Sequence, residues 1–442
     1  MYYASRPLYV GATYYTANNH LLNTLLMHIS TSVFGVSVWT LRLPTFIAGL
    51  LLVPATYAAT RLYHGKNAAL LAAALVSASS PLIEYSFNAR GYSLGALFFM
   101  MMIVVLGLAT EGFSGAWVFL PVMAALALYS VPTMVYGVGG VFLYFLLRRS
   151  ELRKISFAAL CTALLTLVFD APVLGTVGLS AITNNKWVIP IPRNMWLSQC
   201  GRELRSLWVY WNFDLPRLVA ILLVFGIVAG VFSRKSFRSP PMAIFLCVVV
   251  VASVLLPLQR VVPFRRTWLF LLPLYFASAA LGMDLLIRKV RYPDLIAATL
   301  SLVFAGWMGA TVLTVKSLRH SGIESVGGRS SESIVLGMKD RLLHGDQFVC
   351  TDSFDSPLDF EMYVHKIPYR PSPGGRLLIV TPAGKPPQRT LALTGIPSGD
   401  VRSIQMIAHY EDEDVYQGVR GAALPFQPAG SSEMGAFKTS RR

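Results

Sequence analysis

Two short polar gaps in an otherwise apolar chain concentrate the residues able to do chemistry. SFNARGYS (Ser86–Ser93) places Arg90 and Asn88 between two long apolar runs, and QRVVPFRR (Gln259–Arg266) places Arg260, Arg265 and Arg266 between two others. A guanidinium offers a planar fork of donors that grips oxyanions through paired, charge-assisted hydrogen bonds. It can also simply snorkel to lipid headgroups, a routine use of long basic side chains. Carboxylates that could take up a proton are Glu84, six residues before Arg90, and Asp170, inside an apolar run. Each has a plainer use: Glu84 could pair locally with Arg90, and Asp170 could make an interhelical hydrogen bond, since a lone carboxylate in hydrocarbon is costly. Glu84 could also orient a substrate or ligate a metal.

The elements that must position these groups are membrane helices. Of the 442 residues, 54% are apolar and only 14% are charged, which excludes an ordinary soluble globular protein. Taking roughly 20 apolar residues per crossing, the chain reads as ten spans: 38–61, 67–84, 92–110, 115–130, 132–147, 155–175, 216–232, 242–258, 267–287 and 293–315. Residues 21–34 form a shorter apolar stretch broken by Asn23, His28, Ser30 and Ser32, the pattern of an amphipathic helix lying at the interface. The net charge of +16 resides largely in short loops, Arg61–Lys66, Arg148–Lys154, Ser233–Ser239 and Ile287–Pro293. All four fall on one side if the spans alternate, and that side is cytoplasmic; this distribution excludes a nucleic-acid-binding face. Arg42, Arg90, Lys186, Arg193, Arg202, Arg205, Arg260, Arg265 and Arg266 then all face outward, and a set converging on one face favours an anion site.

Residues 316–426 differ in kind, with shorter apolar runs and more Gly, Pro and acidic residues. Ser331–Leu343 reads as a helix, Asp346–Asp352 and Arg376–Pro382 as strands. The expected organisation is an outer-face N-terminal segment (1–36), a transmembrane domain (37–315) with an outer loop at 176–215, a small extracytoplasmic α/β domain (316–426) and a disordered tail (427–442). The four cysteines include no metal-binding spacing, and a Cys200–Cys350 pair is conceivable only in an oxidising compartment. The acidic run TDSFDSPLDFE (Thr351–Glu361) lacks the spacing of a calcium loop and reads as solvated loop.

Asn18–Leu52 resembles the segment that follows the first outer loop in the GT-C superfamily of glycosyltransferases, closest to the protein O-mannosyltransferase and aminoarabinose-transferase group. The resemblance rests on an interfacial helix, a turn at Phe34-Gly35, and Arg42-Leu43-Pro44 opening a membrane helix. SASSPLIEYSFNARGYSL (Ser77–Leu94) continues it, and FRRTWLFLLPLYFASAALG (Phe264–Gly282) is similar to an arginine-aromatic helix late in that bundle. The resemblance implies an α-helical polytopic GT-C-like bundle with a small C-terminal α/β domain. It also implies transfer of a sugar from a polyprenyl-phosphate donor to an acceptor on the extracytoplasmic face. In an inverting transfer the phosphate leaving group needs cations rather than a proton, and Arg90, Arg260, Arg265 and Arg266 are the candidates. Asn18, Asn19, Tyr92 and Trp187 are candidate donor or sugar contacts, the aromatic rings through stacking; a helix cap and an interfacial aromatic belt are the plainer alternatives.

The resemblance places the general base on an acid in the first outer loop, yet residues 1–19 contain no Asp or Glu. Either a membrane helix precedes Met1 or the base is absent; His20 could substitute, or could serve only as a hydrogen-bonding residue at a helix start. Asn88 stands where the group tends to carry a second acid, and an amide cannot take a proton. The expected partners are a lipid-linked sugar donor and a glycan, lipid or protein acceptor in a bacterial inner membrane. A divalent metal is compatible with the chemistry, although no metal-ligand spacing stands out. Two rivals remain: a transporter or flippase for lipid-linked sugars, and a catalytically inactive scaffold.

Overall fold

The computed structural model describes residues 8–13, 19–149, 151–178, 190–212, 215–232, 240–314, 329–350, 358, 361–367, 372, 375–410 and 413–420. The chain divides into two compact units, Met1–Val315 and Lys316–Arg442.

The first unit is helical. After α1 (Leu8–Thr13) and α2 (Leu21–Phe34) come α3 (Val38–His64), α4 (Lys66–Ser77), α5 (Ser80–Phe87), α6 (Tyr92–Thr110), α7 (Ala116–Ser130), α8 (Val135–Arg148) and α9 (Leu152–Val177). Then follow α10 (Arg193–Trp211), α11 (Arg217–Phe232), α12 (Pro240–Gln259), α13 (Leu272–Ile287) and α14 (Pro293–Thr314). All ten stretches expected to span carry helix. Among the described residues six are individually long and apolar enough to cross a bilayer, in α3, α6, α9, α12, α14 and the segment Arg265–Ile287. The span expected at 67–84 is instead a pair, α4 and α5, bent by 56°. Pro81 in the first turn of α5 explains the break: its ring clashes with a preceding helical turn, and it has no N–H to continue the ladder. Ala116–Ser130, Pro132–Arg148 and Val219–Val228 are shorter apolar helices.

Polarity is inverted relative to a soluble protein. In α2 the side chains of Asn23, Thr24, Ser30 and Thr31 are buried, whereas Ile29, Val33 and Phe34 are exposed. Gly35, with φ +79°, turns the chain, and a capping box between Ser37 and Thr40 starts α3. Within α3 the hydroxyls of Thr56 and Thr60 donate to the carbonyls of Leu52 and Thr56, both at 2.8 Å, so no polar group is wasted in an apolar setting. The loop expected at 176–215 contains α10, nineteen residues of helix. Trp196, Cys200, Leu204, Leu207 and Trp211 recur at helical spacing and line one cavity.

The most enclosed element runs from a 3-10 turn, Arg265–Leu271, into α13; Leu272 through Asp284 is buried without interruption. A Cβ on Gly282 would collide with the backbone of Gly226 in α11, the close approach that small residues permit between membrane helices. At the far end of α13, the buried Asp284 meets Arg288 at 2.6 Å, and Arg288 also donates to the His64 carbonyl at 2.9 Å. That pair ties α13 to the end of α3.

The second unit is built on a four-stranded sheet: β1 (Gln347–Val349), β2 (Leu377–Pro382), β3 (Val401–His409) and β4 (Glu413–Arg420), in the order β1-β2-β4-β3. β1 and β2 are parallel and the other pairs antiparallel. Successive residues of β2 face opposite sides. Leu378 and Val380 pack with Ile334, Val335 and Met338 of α15 (Arg329–Met338), while Leu377 and Ile379 pack with Leu391 of α16 (Pro387–Leu393) and Ile396.

Replacing Gly282 by Ala should destabilise the bundle by about 1–3 kcal/mol through overpacking, read as a lower unfolding temperature in detergent. Gly306→Ala, where an added Cβ meets nothing within 4 Å, should leave it unchanged or raised.

Candidate functional site

The α5–α6 corner, the 3-10 turn before α13, and the starts of α2 and α6 assemble one polar cluster at one end of the bundle. Gly91 allows the approach: a Cβ there would collide with the Ser130 carbonyl and sit 3.2 Å from His20 Cβ. Next to it, Tyr92 opens α6 with its ring edge-on to both His20 (4.9 Å) and Tyr85 (5.2 Å). Arg266 Nε donates to the Tyr92 hydroxyl at 3.1 Å, and the Arg266 guanidinium lies 4.5 Å from the Phe264 ring centre.

His20 is buried and its Nδ1 lies 3.1 Å from the Ser130 carbonyl oxygen. A carbonyl can only accept, so Nδ1 carries the proton and Nε2 keeps its lone pair. Burial lowers the His20 pKa to about 4, partly offset by the Ser130 bond, and the charges of Arg90 and Arg266 lower it further. The imidazole is therefore neutral at physiological pH and sits within the field of two guanidinium groups.

The second half of the cluster comes from α10. Tyr275 of α13 donates to Asn212 Oδ1 at 3.0 Å and packs against Trp211 at 5.5 Å, which latches the end of α10 to the most buried helix. The latch holds Tyr210 with its hydroxyl 3.2 Å from Glu84 Oε2 and its ring under Arg265, 5.2 Å away, within cation–π range. Burial and the Glu84 carboxylate both raise the Tyr210 pKa, so its hydroxyl stays a donor. Tyr210 thus bridges an acid and an arginine that lie far apart in sequence.

Beside Arg265 opens an apolar cavity of about 490 Å³, walled by Trp196, Leu204, Leu207 and Trp211 of α10 and by Val248 and Leu256 of α12, with Trp268 and Leu271 in its lining. Trp196 Nε1 donates to the Val261 carbonyl at 3.4 Å and Ile191 N to that of Arg260 at 2.8 Å, pinning the start of α10 to the Gln259–Arg266 loop. Gln259 in turn accepts from the Tyr136 hydroxyl at 3.1 Å.

Six residues singled out by sequence, His20, Glu84, Arg90, Tyr92, Arg265 and Arg266, thus share this end of the bundle. Others do not join them. Asp170 lies in the field of Tyr129, in the packing of α9 against α7. Asn19 is buried, donating to the Gly11 carbonyl at 3.3 Å and accepting from Thr24 at 2.6 Å, which joins α1 to α2. Arg260 is exposed, with φ +52°, and among the described residues no contact links its guanidinium to the cluster. Asn18 and Trp187 lie outside the described residues. Sequence reasoning missed Tyr210 and the cavity-lining face of α10; the helical recurrence of apolar residues from Trp196 to Trp211 was the available signal.

Because His20 is held neutral in the fold and titrates near 6.5 when exposed, the unfolded chain binds more protons between those values and folding loses stability as pH falls from about 6.5 to 4. Unfolding measured across pH 4–7 should show this loss, up to about 3 kcal/mol, and His20→Gln should flatten it.

Residues 21–175 match the family model described as dolichyl-phosphate-mannose-protein mannosyltransferase. Among proteins of curated function none matches the chain in a sequence search. Among solved structures, ArnT from Cupriavidus metallidurans in the apo state is similar at 13% identity with a TM-score of 0.61, covering 92% of this chain and 88% of that one. The same protein bound to undecaprenyl phosphate matches at 12% identity and a TM-score of 0.58, covering 92% and 89%. The chain, a multi-pass helical bundle followed by a small sheet-containing unit, thus shares the fold of ArnT.

Proposed function

We propose that this chain is a membrane glycosyltransferase that moves a sugar from a polyprenyl-phosphate donor to an acceptor on the extracytoplasmic face of a bacterial inner membrane. The observation that carries the reading is the junction of cationic and apolar surfaces at Arg265. On one side the cluster offers Arg265, Arg266 and Arg90 to a phosphate; on the other, the cavity between α10 and α12 offers a path for an isoprenoid tail. The family match and the ArnT-like fold support it, since the ArnT structure holds undecaprenyl phosphate. The positively charged loops support the orientation, with the second unit outside.

The reaction is a single displacement with inversion. The bond between the sugar anomeric carbon and the donor phosphate oxygen breaks as a new bond forms to the acceptor hydroxyl oxygen. Charge accumulating on the departing polyprenyl phosphate is stabilised by guanidinium groups already held in place by Tyr92, Phe264 and Tyr210. The acceptor proton passes to Glu84, which Tyr210 orients by its hydrogen bond. His20, neutral with its Nε2 lone pair free of a proton, supplies a hydrogen-bond acceptor beside Tyr92 for a sugar or acceptor hydroxyl. Asp170, outside the cluster, takes no step.

In liposomes containing a radiolabelled polyprenyl-phosphate sugar, the wild-type chain should transfer the label to acceptor, and Arg266→Ala should lower turnover by about a hundredfold or more. Arg90→Ala should do the same. Wild-type turnover in either variant removes that arginine from the site, and lipid movement without transfer supports the transporter. Tyr210→Phe, which keeps the ring under Arg265 but releases Glu84, should lower kcat by about tenfold with donor binding unchanged, a smaller loss than removal of an arginine.

A further inference from the structure

The second unit contains a convergence of ligand atoms of its own. Glu361 and His365 are four residues apart, a spacing that puts both on one face of the helical turn at 361–364. Glu332 reaches them from α15. His365 Nε2 is 3.4 Å from Glu332 Oε1 and 3.6 Å from Glu361 Oε2, and one ligand atom from each residue lies within 4.8 Å of the other two. These separations exceed the roughly 2.7–2.9 Å of a charge-assisted hydrogen bond. The two His365 distances match the ligand-to-ligand edges of a tetrahedron with bonds of about 2.0–2.2 Å, which are about 3.3–3.6 Å.

Two further observations point to a missing cation. His365 Nε2 is buried and has no hydrogen-bond partner among the described residues. Glu361 is only 8% exposed, and among the described residues its charged neighbours are a second carboxylate, Glu332, and His365. A buried carboxylate facing another is unfavourable unless a positive charge sits between them. The reading of Thr351–Glu361 as solvated loop therefore fails at Glu361, which points inward beside Met362 of the core.

The geometry points to a divalent transition-metal site, of the kind zinc occupies, formed by Glu332, Glu361 and His365. One imidazole with two carboxylates favours such an ion over calcium or magnesium, which prefer all-oxygen shells. Glu332 is 59% exposed at its side chain, so the fourth position opens to solvent and takes water. Glu332 and the 361–365 segment lie on separate elements whose neighbours Val335 and Met362 share one core. A bound ion would cross-link those elements and add its binding energy to the stability of the unit.

The test uses the full chain, purified without a polyhistidine tag, stripped with chelator and dialysed against buffered Zn²⁺. Elemental analysis should find about one zinc per chain in the wild type and none at this site in His365→Ala. Glu332→Gln, an exposed substitution that leaves the core intact, should weaken zinc affinity at least tenfold. Co²⁺ in place of Zn²⁺ should give the visible absorption of a four-coordinate nitrogen–oxygen site, absent in His365→Ala. Equal zinc content and affinity in the wild type and both variants, or no zinc in the wild type, overturns the site and leaves an ordinary ion pair.

Discussion

Guanidinium groups beside a hydrocarbon environment must be held by the side chains around them, and one end of this bundle is organised around holding them. Arg265 and Arg266 open the segment that the other helices enclose most completely. The α13 core fixes where those two side chains emerge, and the aromatic residues around them fix where they point. Tyr92 receives a hydrogen bond from Arg266, Phe264 lies against it, and Tyr210 lies under Arg265. Aromatic rings and one hydroxyl thus set the direction of both cations. The charge of Arg266, with that of Arg90, also acts on His20.

The aromatic contacts also explain how a site made from distant segments keeps its geometry. His20, Glu84, Tyr92, Tyr210 and Arg266 span nearly two hundred and fifty positions of the chain. Each link is short and local: His20 to Ser130, Gly91 against both, Tyr275 to Asn212 at the end of α10. The links attach to α7, α6 and α13, three helices whose packing is set by small residues and buried apolar surface rather than by the polar groups themselves.

Much of this was legible in the sequence. Apolar runs long enough to span, and continuous strands such as LLIVTP buried on both faces, leave a signal that depends only on composition. Arg90, Arg265 and Arg266 were legible because a charge beside an apolar run demands an explanation. The remainder failed for definable reasons. β3 and β4 mix polar residues with apolar ones, are partly exposed and carry register shifts, so alternation is blurred. α10 lies among Trp and Arg residues that read equally well as an interfacial loop. Glu361 has one partner that only folding supplies, Glu332, beside its local partner His365, and the burial of Asp284 beside its local partner Arg288 is likewise set by packing. Arg260 sits in the same short gap as Arg265 and Arg266, yet its left-handed backbone leaves it outside the cluster.

The bend between α4 and α5 has a bearing on the lipid itself. α4 has twelve residues and α7 fifteen, about 18 and 22 Å of helix, against a hydrocarbon core of about 30 Å. α7 ends at Ser130, where His20 and the α5–α6 corner meet. A bilayer answers a helix shorter than its hydrocarbon core by thinning locally or by drawing flanking polar residues to the surface. Thinning beside α7 would bring lipid headgroups toward the end of the bundle where His20 and the α5–α6 corner meet, while the acyl chains stay in hydrocarbon.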